Sequence, residues 1–207
     1  MRAGFAAVVA LGLLQGAALA QTDSPRAPGA SGRITSAGVV RAQAVVDSVF
    51  LDRKAAQGEI EGGDWASYLM ARLGVPLPDS SGMLVAVDST GIVISGRIQD
   101  LPLEARLMLG PLEALVDSST ALAALVVQVP AGKGLAHFRL RGVTVGGFPI
   151  PEVVLHAMLL KIGERYPALT KSGRDLLVQI PTDGAVQLRP GAVRLVLVPT
   201  EVQVPPH

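Results

Sequence analysis

Residues 120–145 read TALAALVVQVPAGKGLAHFRLRGVTV. Two runs rich in β-branched and aliphatic residues flank PAGKG at 130–134, a composition that turns a chain back on itself. In the second run polar and apolar residues alternate. His137, Arg139 and Arg141 point toward water, while Phe138 and Leu140 point inward. Beyond Gly142 the alternation slips, with Val143 and Val145 both apolar, which predicts a β-bulge. The first run is apolar on both faces from Leu122 to Val129, apart from Gln128. Such a strand needs a cover on each side, or a cavity along one of them. Joined by so short a link, the two strands must pair antiparallel.

The flanking segments follow the same logic. MLVAVD (83–88) and GIVISGRI (91–98) are two short strands split by Ser89-Thr90-Gly91, a second hairpin. Residues 103–116 predict a helix interrupted at Gly110-Pro111. Upstream, Val39, Val40, Val45, Val46, Val49 and Phe50 recur at helical spacing, so a first helix is expected over 39–56 and a break over the Gly-rich residues 58–63. Asp64 reads as the N-cap of DWASYLMARLG, with Trp65, Leu69 and Leu73 on one side and Gly74 as the stop. Downstream, Pro151 opens an apolar helix that Gly163 to Pro167 end. DLLVQIP (175–181) and AVQLRPGAVRLVLVP (185–199) supply two or three closing strands. The order predicts an α+β domain, an antiparallel sheet wrapped on helices.

The 207-residue chain can bury one substantial core. Met1 and Arg2 precede an apolar run over 3–14, and Ala18 and Ala20 supply the small residues a signal peptidase reads. A signal peptide over 1–20 is expected, with Gln21 as the first mature residue. Residues 21–36 are rich in Ser, Pro, Gly and Ala and read as a flexible leader. The domain then spans 37–198, and 199–207 form a tail. Removal of Arg2 balances 17 basic against 17 acidic residues, which argues against nucleic acid as a partner and against electrostatic capture by an anionic membrane. With no cysteine the chain has no disulfide and no thiol nucleophile. These features suit the periplasm or secretion to the medium.

Reactive constellations are scarce. There is no G-x-S-x-G or S-x-x-K arrangement for a nucleophile, and the three histidines fall in no metal-binding spacing. Ser118-Ser119-Thr120 fits a cap or turn. Glu152 and His156 are spaced for an ion pair on the helix rather than for proton transfer. Glu59, Glu61 and Asp64 fit a solvated loop, and Gly132-Lys133-Gly134, which resembles a fragment of a phosphate loop, lacks the upstream glycine and suits a strand connection. No catalytic residue, cofactor or metal is expected.

Apolar surplus is the clearest signal. Hydrophobic residues make up 49% of the chain and aromatics only 3%, and between 153 and 162 nearly every helix face is apolar. A helix apolar all round is buried or touches something greasy. One side is expected to pack and the other to line a groove. Val154, Leu155, Met158, Leu159 and Ile162, with Phe148 of the preceding turn, are the candidate lipid contacts. Met158 leads them because an unbranched, polarisable side chain adapts to a mobile partner.

The segment order, together with V-x-V-G-G-x-P-I-P at 143–151 before the apolar helix, resembles the LmeA-like phospholipid-binding proteins and, more distantly, the TULIP superfamily of lipid-binding domains. The resemblance covers about Gly58 to Val198. It departs at 103–116, which is longer and more helical than a strand connection. It implies a curled antiparallel sheet on helices with a groove for lipid tails, and it carries no signature residue. The expectation is an exported, non-enzymatic domain that binds or carries lipid acyl chains and contacts a membrane surface. The alternative is a periplasmic interaction or scaffold module with a solid core and an exposed strand edge. No feature of the sequence sets an oligomeric state.

Overall fold

The computed structural model describes residues 32–75, 77, 82–101, 106, 117–166, 169 and 172–198. The expected signal segment, most of the leader, nearly all of the 103–116 helix and the tail lie outside the described residues.

Thr35 starts the first helix. Its backbone is extended and its side chain accepts a hydrogen bond from the amide of Gly38 at 3.0 Å, so α1 runs over Ser36–Val46. The helix continues into a π-helical turn over Asp47–Leu51. Strand β1 (Gln57–Glu61) and helix α2 (Gly62–Arg72) follow, then β2 (Leu84–Val87), β3 (Gly91–Arg97), β4 (Ala121–Val129), β5 (Leu135–Val145) and β6 (Phe148–Pro149). Helix α3 covers Glu152–Arg165, and β7 (Asp175–Gln179), β8 (Gly184–Arg189) and β9 (Ala192–Leu197) close the fold.

Every described strand pairing is antiparallel, and the molecule is α+β. The larger sheet has the order β2-β3-β4-β5-β6, with β7 also on β5. The smaller has the order β1-β9-β8. The long hairpin of 120–145 is the centre of the larger sheet. Its register slips where expected, because Leu125 faces Gly142 while Val126 faces Leu140. Arg141 is therefore the extra residue. Strand residues alternate in direction, so without the bulge Val143 and Val145 would point away from Phe138 and Leu140. With it, all four share the inner face. Gly146 and Gly147, at φ 60° and 85°, form the two-residue turn into β6 that this handedness requires.

Both sheets and both N-terminal helices meet in one core. Trp65 is its largest fully buried side chain, stacked on Tyr68 at 5.6 Å and tilted against Phe138 at 6.1 Å. Helix α1 crosses α2 closely because Gly38 has no side chain. A Cβ there would lie 2.7 Å from Asp64 Oδ1 and 2.9 Å from Ser67 Oγ. Fully buried Ser67 binds both elements, accepting from the amide of Thr35 at 2.9 Å and donating to the carbonyl of Gly63 at 2.6 Å.

Several expectations change. The Gly-rich break at 58–63 is mostly β1, whose partner β9 is remote in sequence. Glu59 in it is not a free loop carboxylate but binds Arg194 at 2.5 Å. Asp64 does not cap α2. Glu61 holds the cap position, and Asp64 is buried in the first turn, where Arg41 grips both its oxygens at 2.8 and 2.6 Å. The leader ends before 33, because Arg33 bridges to Leu84 and Ile34 joins the core. Glu152 pairs with Arg174 rather than His156.

Candidate functional site

Cross-strand partners lie on one face of a sheet, and on the inner face of the larger sheet they form two apolar rows. Ile92, Val126 and Leu140 are in register across β3, β4 and β5, and Phe138 faces Leu176 across β5 and β7. Helix α2 lies over these rows with Leu69, Met70 and Leu73 directed at them. The two surfaces do not close completely. They leave a cavity of about 180 Å³ whose walls, beyond those residues, include Ala66 and Ile94.

Leu169, Gly173 and Arg174, from the segment between α3 and β7, complete the cavity wall. Gly173 adopts φ 65°, which favours glycine, and any side chain there would run into the carbonyl of Leu159 on α3. Gly173 thus borders the cavity on one side and abuts α3 on the other. Among the described residues Arg174 is the only charged one that borders the cavity, beside otherwise apolar neighbours. Its Nη2 donates to Glu152 Oε1 at 2.5 Å in the first turn of α3.

The residues expected to contact lipid are distributed around this arrangement rather than on the cavity wall. Leu155 and Leu159 are buried, Met158 and Ile162 half-buried, and Val154 sits at the boundary of exposure. Phe148 is 78% exposed on the β5–β6 turn, and Val153 is 81% exposed on the outer side of α3. The buried stripe of α3 is therefore Leu155, Leu159 and Gly163, and the outer stripe carries Val153 and Leu160. Sequence reading placed the apolar surface on α3 and passed over α2. The signal for α2 was present in the spacing of Leu69 and Leu73, but that spacing also describes an ordinary core face.

A second and wider cleft of about 500 Å³ opens where the β2–β3, β4–β5 and β7–β8 connections converge. Its lining mixes Ser89, Thr90, Gln128, Lys133 and Thr182 with aliphatic residues. Gln128, the one polar residue in an apolar strand, donates to the carbonyl of Val186 at 2.8 Å and ties the two sheets together there.

On the outer face Asp175 gathers His137 Nε2 and Arg139 Nε, each at 2.6 Å. Burial pushes the Asp175 carboxyl upward, but the hydrogen bonds and charges of Arg139 and His137 outweigh it and hold the carboxyl below the ordinary aspartate range. His137 and Arg139 point outward as their alternation predicts, yet they are engaged with β7 rather than only with water. Ser118-Ser119-Thr120 is a turn, in which the Asp117 carboxylate accepts from the amide of Ser119 at 2.8 Å. Among the described residues no group of His, Asp and Glu could hold a metal ion, and no helix is long and apolar enough to cross a membrane.

No protein-family model, no curated protein and no solved structure matches the chain.

Proposed function

We propose that this chain is exported and holds an alkyl chain of a lipid in the apolar cavity between α2 and the larger sheet. The cavity itself carries the reading. Interiors are normally packed to crystal density, whereas here an almost wholly apolar recess of about 180 Å³ is left between helix and sheet. An aliphatic guest would cover that apolar surface, at roughly 25 cal/mol per Å² removed from water, and it needs no shape complement beyond its width.

Size narrows the guest. Sites for drug-sized ligands run to about 300–1,000 Å³, and an apolar cavity of about 150 Å³ takes a benzene. The space between α2 and the sheet therefore suits one alkyl segment rather than both tails of a diacyl lipid. The signal-like residues at 1–20 support delivery outside the cytoplasm, where the absence of cysteine leaves burial as the main source of stability.

Trp65 is the chain's single tryptophan and packs on Phe138, a residue of the cavity wall. A fatty acid brominated along its chain should quench Trp65 fluorescence, and its unbrominated counterpart should not. Ile94→Phe, which adds bulk to the wall, should weaken the quenching. Native mass spectrometry of the purified protein should show a co-purified amphiphile. Absence of both quenching and bound lipid would overturn the reading.

A further inference from the structure

Among the described residues one cation, Arg174, borders the apolar cavity, and its position defines which end of a guest it would meet. Arg174 reaches the cavity from the segment that separates α3 from β7, and its side chain is only 25% exposed. A guanidinium offers five N–H donors in a planar fork. Here Nη2 serves Glu152, while Nε and Nη1 meet no acceptor among the described residues. Glu152, by contrast, is 67% exposed and well hydrated. Among the described residues this cation beside an apolar cavity is therefore paired through one nitrogen, by a partner that water can readily satisfy.

We propose that the occupant is a single-chain anionic amphiphile whose carboxylate or phosphate head is held by Arg174 while its alkyl chain fills the cavity. The inference rests on the alkyl-binding reading for the tail and adds the head group. Planar, two-point recognition of an oxyanion is what a free guanidinium edge provides. Glu152 competes for the same group, so binding of the head loosens the tie between Arg174 and the first turn of α3. Neutral amphiphiles gain only the tail contribution and bind more weakly.

Calorimetric titration of the purified full-length protein with decanoate, decyl phosphate, decanol and inorganic phosphate separates these contributions. Decanoate and decyl phosphate should bind about tenfold more tightly than decanol, the worth of one charge-assisted hydrogen bond. Arg174→Gln should remove that preference, and Arg174→Lys should restore part of it. Glu152→Gln frees the guanidinium and should tighten the anionic probes while leaving decanol unchanged. A purely structural ion pair would give the opposite sign, because losing it would loosen the wall for every probe.

Equal affinity for decanoate and decanol in the wild type, unchanged by Arg174→Gln, would overturn the head-group assignment and leave the alkyl cavity standing. Inorganic phosphate binding as tightly as decyl phosphate would make Arg174 a free-anion site and overturn the amphiphile. No binding of any alkyl probe would remove the cavity reading and this inference with it. If Arg174→Gln does not fold, the Glu152→Gln comparison decides alone.

Discussion

Asp175 shows how a residue's role depends on a partner that sequence proximity does not reveal. It joins β7 to β5 by holding His137 and Arg139, and its carboxyl is kept below the ordinary aspartate range despite the opposing effect of burial. Asp88 is lowered chiefly by the hydroxyl of Thr90, with the amides of Thr90 and Gly91 also donating. For both groups the folded state binds a proton less readily than the unfolded chain. Their contribution is therefore fully present above the unfolded aspartate pKa of about 3.9 and is lost as pH falls through the depressed folded values. Urea midpoints should accordingly hold level from neutral pH to about pH 5 and drop below about pH 4. Asp175→Asn should make that acid limb shallower. An unchanged limb would mean that this cluster contributes little to stability.

At the scale of elements, the contact between α1 and α2 depends on Gly38, where nothing in the local sequence announces a close approach. The atoms that a Cβ would meet include the Cα of Asp64 at 3.2 Å, which cannot swing aside as a side chain could. Gly38→Ala should destabilise the fold by about 1–3 kcal/mol. Gly132→Ala, with nothing within 4 Å, is the matched control and should be close to neutral. Thermal melts of the two variants, read against wild type, would expose the difference. Elements whose partners are neighbours in sequence were legible: the 83–98 and 120–145 hairpins and the bulge near Gly142 follow from alternation and turn chemistry. Strand β1 was not, because GEIE lacks a convincing pattern and its strand character comes from pairing with β9. The cavity was hidden for a related reason. Leu69 and Leu73 look alike to periodicity whether they meet a well-packed sheet or a gap, and only the opposing surface decides.

Across the whole molecule, the smaller sheet joins β1 to β9, and the ion pair between Glu59 and Arg194 spans a separation of 135 residues. Everything between those strands must be made before the first has its partner. Closing so long a loop carries an entropic cost before the pairing rewards it, which slows folding in proteins rich in non-local contacts. As synthesis proceeds from the N-terminus, β1 emerges early and waits, with its hydrogen-bonding edges and Ile60 exposed, until the final hairpin is available. A chain stopped at Pro190 should consequently remain protease-sensitive through 57–72, whereas one that includes β9 should become resistant. Protection of that region in the shortened chain would show that α1 and α2 can fold without the smaller sheet. Late closure has a kinetic consequence: premature folding is suppressed until the last strands are present, so the chain stays threadable for longer, which suits the export proposed above, and it also spends that interval open to aggregation.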